Sequence, residues 1–496
     1  MHHQNKTKLE MSDTAQMSLA AQVDETLNQW HSKQKNALEL AGIVGELWYE
    51  RSVELILFRE TLVDKGVGEI LNSHLLAREV IKKELVVDDT LQLARAIKYA
   101  NIAPAKIDLG KLGAEWLSER SNYNNADEFI GDKLSDFIGE DKINLEPKDV
   151  VLFGFGRIGR IATRLLVNAT GRGQQLRLKA IVVRKADLKK RAELLRNDSV
   201  HGPFKGVILE DYEKNELIVN GQTIKIIEGG KPSEIDYTSY GINDALLIDN
   251  TGAFRDREAL SQHTAAKGIS KVMLTAPGKG DLVNVVYGVN EGMVAEDETI
   301  LSAASCTTNA IVPTLKVIND TYGISTGHIE TVHSYTNDQN LLDNIHKKSR
   351  RGRSAALNLV ITETGAGKAA AKALPELAGK LTGNAVRVPT PNVSLAILKL
   401  NIDKEVTKES LNAVLKEESM HGALVEQLLF SENDELVSSD VIGSVSAGVI
   451  DGPSTIVGAD GKSVVLYVWY DNEYGYTCQV MRLAKYFAKV RRLTYY

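Results

Sequence analysis

The passage from Val150 to Val183 limits this chain more than any other. Val150-Val151-Leu152-Phe153 is an unbroken apolar run of strand length, and Gly154-Phe155-Gly156-Arg157-Ile158-Gly159 follows at once. An apolar helical pattern, Ile158–Val167, opens from that loop. Gly171 and Gly173 end it, and Leu176–Val183 reads as the next strand. Strand, glycine turn, helix and strand in this order form the context a dinucleotide-binding fingerprint requires. The first glycine permits a tight turn, the second lets backbone approach a pyrophosphate, and the third packs helix against strand. Free N–H groups and the dipole at the helix start favour negative charge. An α/β nucleotide-binding domain is therefore expected, with further strands at Ala245–Asp249 and Lys271–Thr275.

A second cluster carries reactive chemistry. Cysteine occurs twice in 496 residues, and Cys306 sits in Ser305-Cys306-Thr307-Thr308-Asn309 among small hydroxylic neighbours. A thiolate attacks carbonyl carbon, and an imidazole can hold a thiol ionised. His333 lies downstream in Thr331-Val332-His333-Ser334-Tyr335-Thr336. Spacing does not place it beside Cys306, so an unrelated histidine and a packed cysteine stay open on these residues alone. Asn309–Asn319 reads as a helix, which puts Cys306 at a helix start. Cys478, in an apolar segment, reads as core.

Seven blocks beyond the glycine loop run in a fixed order: Asp198-Ser199-Val200-His201-Gly202, Thr251-Gly252, Thr275-Ala276-Pro277, the Cys306 block, His333–Gln339, Arg387–Val393 and Trp469–Gly475. With the loop they resemble the phosphorylating glyceraldehyde-3-phosphate dehydrogenase family over residues 148–496. The resemblance implies a Rossmann-type domain over 148–305, an α+β mixed-sheet catalytic domain over 306–469, and a C-terminal stretch, 470–496, whose helix returns to the nucleotide domain. It implies Cys306 as nucleophile and His333 as base and activator. The cofactor contacts it implies are Gly154, Phe155, Gly156, Arg157, Ile158, Gly159, Thr251, Gly252, Thr275 and Asn472. For the substrate ester it implies Thr336, Asp338 and Arg387; for inorganic phosphate, Ser305, Thr307, Arg353, Thr364 and Gly365. No metal is assigned. Glyceraldehyde 3-phosphate, inorganic phosphate and a homotetramer are the implied partners.

Two departures from the family stand out. NAD-using members carry an aspartate at the end of the second strand, where counting back from Asp198 puts Arg184, followed by Lys185. A guanidinium cannot accept from ribose hydroxyls but pairs with a 2′-phosphate, so NADP is favoured without excluding NAD. Asp187, three residues on, is the alternative ribose partner. In the phosphate loop, Ile361-Thr362-Glu363-Thr364-Gly365, Glu363 adds a carboxylate, expected to point outward. The family's second cysteine is Ala310 here. Erythrose-4-phosphate dehydrogenase, and a scaffold protein retaining the fold, are the competing readings. The His333–Gln339 block and Thr364-Gly365-Ala366 favour the triose enzyme.

The remaining expectations rest on composition and periodicity. Hydrophobic content of 43% and charged content of 25% describe an ordinary globular chain. A net charge of −6 gives no support to nucleic-acid binding or a membrane surface. The start, Met1–Lys6, lacks a signal-peptide core, and two cysteines fit a reducing cytoplasm. Residues 1–147 read as an all-helical domain of unassigned role. Residues 1–30 are read as polar and frayed, then helices over Ala37–Leu62, Glu69–Lys83 and, behind Asp88-Asp89 as cap, Thr90–Ala100.

Overall fold

The computed structural model describes residues 3–139 and 142–496, with side chains from Val23 onward except Glu79. The chain forms two compact units, one of Met1–Asn144 with Arg492–Tyr496 and one of Leu145–Arg491. Elements are numbered in chain order.

The first unit holds α1 (His3–Arg51), β1 (Glu54–Leu57), β2 (Glu60–Thr61), α2 (Val67–Val80), α3 (Val87–Tyr99), β3 (Ala105–Asp108), α4 (Leu109–Glu119) and α5 (Ala126–Lys133). It is helix-rich but not all-helical, which corrects the sequence expectation. A four-stranded sheet runs β2-β1-β3-β20, where β20 is Leu493–Tyr495 from the far end of the chain. The helix expected over Ala37–Leu62 stops at Arg51, and Ser52 turns left-handed at φ 56°. Val53, Leu55, Ile56 and Leu57 are fully buried. Such a short apolar run fits a helix or a buried strand equally, and periodicity cannot separate them. Residues 3–30, expected frayed, lie in α1; Met1 and His2 fall outside the described residues. Asp88 and Asp89 sit in the first turn of α3 behind Val86 at the cap position, where carboxylates favour the helix dipole. Leu40, Val44 and Leu47 on α1 pack with Leu91, Ala94 and Ile97 of α3.

The second unit begins with β4 (Lys148–Phe153), α6 (Arg157–Asn168), β5 (Leu176–Val183), α7 (Leu188–Arg196), β6 (Ile208–Asp211), β7 (Glu216–Val219), β8 (Gln222–Glu228), β9 (Ala245–Asp249), α8 (Arg257–Thr264), β10 (Ile269–Leu274) and β11 (Ile300–Ser302). Their sheet runs β11-β10-β9-β4-β5-β8-β7-β6. From β11 to β8 all pairs are parallel, with an antiparallel edge at β7 and β6. The chain leaves β4 to opposite sides through β5 and β9, and ligands of such sheets bind at the carboxyl ends beside this switch point.

The rest comprises α9 (Cys306–Tyr322), β12 (Ile324–Ser334), β13 (Val360–Thr362), α10 (Ala366–Ala373), β14 (Leu381–Val388), β15 (Ser394–Ile402), α11 (Lys408–Met420), β16 (Leu428–Ser431), β17 (Gly448–Asp451), β18 (Ile456–Val457), β19 (Ser463–Tyr470) and α12 (Tyr474–Phe487). The mixed sheet runs β13-β14-β12-β15-β19-β17-β16, with β18 paired to β19. Ile311, Leu315 and Ile318 of α9 bury against Ile329, Leu398 and Leu466 of the sheet. The last helix, α12, returns to the first sheet, where Val480, Leu483 and Phe487 join the core with Leu166 of α6. Among the described residues no helix is long and apolar enough to cross a membrane.

Candidate active site

The glycine loop is shaped by close approach. Gly154 adopts φ 100°, and a Cβ at Gly159 would lie 2.3 Å from the Gly154 carbonyl oxygen. Neither position admits a side chain without backbone movement. A Cβ at Gly156 meets nothing within 4 Å, and no side chain caps the start of α6 there. The head of α6 is thus left uncapped beside an open position, which fits a pyrophosphate. Phe155 is buried in the core and lends only backbone to the loop. The Arg157 side chain is committed elsewhere: Nε donates to Glu473 Oε1 (2.8 Å) and Nη1 to Asp198 Oδ2 (2.9 Å). Burial pushes the Asp198 carboxyl up, but the His201 and Val200 amides and Arg157 outweigh it and hold it at about 2. Thr251 donates through N and Oγ1 to Asp249 Oδ1, and Thr275 Oγ1 donates to the Asp249 carbonyl, which fixes the loops after β9 and β10.

Arg184 and Lys185 are exposed just past β5. Asp187 Oδ1 accepts from Lys190 N at 3.1 Å as the cap of α7. A carboxylate absent from the sequence reading lies nearby: Glu228, register partner of Val183, accepts from Ala186 N at 2.9 Å.

Cys306 is the first residue of α9. Ser305 caps the helix, its Oγ accepting from Thr308 N at 3.0 Å, and Ala304 before it is left-handed at φ 55°. Tyr476 on α12 donates its hydroxyl to the Ala304 carbonyl at 3.0 Å. The turn thus presents the half-buried sulfur to His333, with Sγ 3.6 Å from Nε2. His333 is buried near the end of β12, and its register partner on β14 is Arg387. Arg387 Nη1 lies 2.7 Å from His333 Nδ1 and donates to the Ser334 carbonyl at 2.8 Å. Burial, then the Arg387 charge, push His333 down to about 3. Burial also pushes the Cys306 thiol up, against the pull of Arg387 and Thr307. Burial is the larger influence, so the resting thiol lies above its ordinary value.

The arginines beyond β12 divide differently from expectation. Arg353 is exposed and pairs with Asp343 at 2.8 Å, so the structure does not bring it to Cys306. Arg351 is the inward one, ion-paired with Asp338 and donating through Nε to Thr362 Oγ1 (3.4 Å). Arg351 lies within a 3-10 turn, Ser349–Gly352, and Arg353 just after it, so the two point in different directions. Thr336 donates to Asp338. Burial opposes ionisation of Asp338, but that bond and Arg351 hold its carboxyl below the usual range. Thr364 Oγ1 accepts from Ala366 N (3.2 Å), and Gly365 at the head of α10 has open space where a Cβ would be. Glu363 is exposed.

A family model described as the NAD binding domain of glyceraldehyde 3-phosphate dehydrogenase matches residues 148–257, and one described as its C-terminal domain matches 305–472. The chain is 52% identical over 454 residues to a glyceraldehyde-3-phosphate dehydrogenase-like protein of Pseudomonas aeruginosa, covering 90% of this chain and 98% of the relative. The chain belongs to the glyceraldehyde-3-phosphate dehydrogenase family. It is also 43% identical over 338 residues to glyceraldehyde-3-phosphate dehydrogenase 1 of Bacillus subtilis (68% of this chain, 97% of the relative). Against glyceraldehyde-3-phosphate dehydrogenase 2 of Synechocystis it is 42% identical over 342 residues (68% and 98%). The alignment with the Pseudomonas protein is long enough to reach well into the first unit, so that unit is not peculiar to this chain.

Family motifs did not reveal several residues that shape the site. Tyr470 bonds Thr307 Oγ1 through its hydroxyl (2.9 Å) and meets the His333 ring edge-on at 6.1 Å. Ser394 donates to Asn472 Oδ1 (2.8 Å), fixing that amide against β15. Both lie inside quoted or neighbouring motifs, but only the fold brings Tyr470 to Thr307 and His333, and Ser394 to Asn472.

Proposed function

We propose that the chain is a phosphorylating glyceraldehyde-3-phosphate dehydrogenase, converting the aldehyde and inorganic phosphate to 1,3-bisphosphoglycerate, and the reverse. The observation that carries this reading is the 3.6 Å approach of Cys306 Sγ to His333 Nε2 with Arg387 alongside. Sγ attacks the aldehyde carbon, and the thiol proton ends on the new hydroxyl of a hemithioacetal. Bound NAD(P) supplies the hydride acceptor. His333 Nε2 takes the hydroxyl proton as hydride leaves, and a thioester on Cys306 results. A phosphate oxygen then attacks the thioester carbon, the C–S bond breaks, and the thiolate recovers its proton from His333. Asn472, held by Ser394, is assigned to the nicotinamide carboxamide. Arg387, Thr336 and Asp338 are assigned to the substrate ester, Asp338 acting through its network. Arg351 replaces Arg353 in the inorganic-phosphate set with Thr364, Gly365, Ser305 and Thr307.

NADP is the coenzyme we favour. Arg184 is exposed past β5 with no partner among the described residues, and Asp187 is occupied as a helix cap. Residues 148–305 are taken as the nucleotide domain and 306–469 as the catalytic domain. A homo-oligomer, a tetramer by family resemblance, is supported by Leu341, Leu342, Ile345, Leu357 and Leu359, all more than two-thirds exposed within one stretch of chain, since clustered exposed apolar side chains mark association. Free cysteines fit a reducing cytoplasm. The test is steady-state reduction of NAD and NADP by purified protein with the triose phosphate, with and without inorganic phosphate. Phosphate-dependent acyl-phosphate formation is expected; reduction independent of phosphate, or none, overturns the reading.

A further inference from the structure

The nucleotide sheet holds a buried histidine that no motif assigned. His263 stands in the last turn of α8, past the residues that match the NAD binding domain model, and is fully buried, as is Asp249 at the end of β9. Its Nε2 lies 3.1 Å from Asp249 Oδ2, and its Nδ1 has no partner among the described residues. A bare Nε2 would put the ring proton on Nδ1, an unpaired buried donor. Nε2 therefore carries the proton and donates to the carboxylate. The ring meets Phe153 and Phe254 edge-on, with centroids at 4.7 and 5.2 Å. A phenyl ring would fill that slot, and burying a polar ring costs free energy unless it is bonded. Packing alone does not account for an imidazole here; the bond to Asp249 does.

Asp249 in turn holds the turn beside the glycine loop. It is the register partner of Phe153, the residue before Gly154. Its Oδ1 accepts from Thr251 N at 2.7 Å and from Thr251 Oγ1 at 2.6 Å, and Thr251 Oγ1 accepts from Ala253 N at 3.1 Å. A Cβ at Gly154 would lie 2.9 Å from Thr251 Cγ2, so the threonine methyl is the wall against which the glycine turn closes. The two carboxylate oxygens thus divide their work, one toward the turn and one toward α8. Without the second anchor the carboxylate is free to swing about its Cβ–Cγ bond and release Thr251. Tyr237 also faces this carboxylate, but its buried hydroxyl makes no bond among the described residues and does not take over that task.

We propose that His263 is a positioning residue for the coenzyme: it pins the Asp249 carboxylate, which sets the Thr251-Gly252 turn against Gly154 and so shapes the dinucleotide cleft. Being fully buried, His263 acts through these groups and touches neither coenzyme nor substrate. The inference rests on the assignment of Thr251 and Gly252 to the coenzyme made above.

The experiment separates the ring from its nitrogen. His263→Phe keeps the aromatic packing and loses the donor; His263→Gln keeps an N–H for Asp249 and loses the ring. Each full-length variant is titrated at equilibrium with NADP and with NAD beside wild type. The rate at which iodoacetamide alkylates Cys306 in coenzyme-free protein reads whether the thiol site is intact. A hydrogen bond to a charged group is worth about ten- to a hundredfold, and part of that is expressed in binding. His263→Phe is therefore expected to raise Kd about tenfold for the coenzyme that wild type binds, with Cys306 alkylated at the wild-type rate. His263→Gln is expected to recover most of the affinity. A folded His263→Phe with the wild-type Kd overturns the inference, as does a His263→Gln that recovers nothing. If His263→Phe does not fold, the double variant with Asp249→Asn, which leaves no buried charge unpaired, takes its place; a wild-type Kd there overturns the inference equally. A wild type that binds neither coenzyme overturns the nucleotide-site reading itself, and the inference with it.

Discussion

Cys306 Sγ lies 3.6 Å from His333 Nε2 although the two sit on different elements, the head of α9 and the end of β12. The glycine loop is remote in sequence from both. Cys306→Ser is therefore expected to abolish dehydrogenase turnover while coenzyme still binds, because a serine hydroxyl stays protonated near neutral pH and is a poor nucleophile. His333→Asn is expected to lower kcat by about 10²- to 10⁴-fold, the usual worth of a general base. Turnover assays beside coenzyme titration check both; substantial activity in the serine variant removes Cys306 as nucleophile.

Arg351 and Arg353 separate cleanly. Arg351→Ala is expected to raise the KM for inorganic phosphate about ten- to a hundred-fold, since a hydrogen bond to a charged group contributes roughly 1.5–3 kcal/mol. Arg353→Ala, which loses only an exposed pair with Asp343, should change stability and KM little, within the about 0–1 kcal/mol of a surface ion pair. The reverse ranking in phosphate titrations would restore Arg353 to the site.

For the coenzyme, Arg184→Asp is expected to shift kcat/KM from NADP toward NAD by about ten- to a hundred-fold through the lost phosphate contact. The new carboxylate can accept from free ribose hydroxyls, so NAD use should improve as NADP use falls. An unchanged ratio would leave the ribose to Glu228 or Asp187 and return the preference to NAD.

Acid stability follows from His333. Its folded value of about 3 lies below the ordinary value of about 6.5. Between these pH values the unfolded chain takes up a proton that the folded chain refuses. The contribution is whole above about pH 6.5 and is lost as pH falls toward 3, at up to about 1.4 kcal/mol per pH unit. His333→Asn cannot take that proton, so its urea midpoint should fall less between pH 7 and 5. Parallel slopes for the two proteins would contradict a buried neutral imidazole.

The last five residues belong to the first unit. Arg492 Nη2 donates to Glu54 Oε2 (2.7 Å) and Nη1 to the Ser52 carbonyl (3.1 Å), and β20 pairs in parallel with β3. Deleting 492–496 should destabilise the first unit by about 3 kcal/mol or more, the cost of stripping one partner from a largely buried pair. Protease susceptibility of residues 23–144 reads this directly, and unchanged resistance would contradict it. A chain lacking 1–144 should accordingly also lack 492–496, so that Leu493 and Tyr495 are not left without their sheet.

The glycine loop was legible because its constraint is local. A strand, three glycines and a helix leave few backbone paths, and Gly154 and Gly159 occupy the positions where a side chain does not fit. The motif order was equally legible and led to the family. Where a short apolar run had to be read alone, the sequence was silent: Val53–Leu57 carries the same residues whether it ends a helix or lies in a sheet, and its partners on the strand that decides, β3, are 52 positions away.

By itself, then, the sequence determined the family, the nucleotide-binding fold and the identities of Cys306, His333 and Arg387. The tertiary structure decided which arginine faces the site, since the turn at Ser349–Gly352 sends Arg351 inward and Arg353 outward. It decided that Arg387 touches the imidazole, through the β12–β14 register, and that burial holds the resting thiol up and the imidazole down. These are long-range outcomes. Burial and the approach of charges depend on which strands become neighbours, and one stretch of sequence does not contain that information.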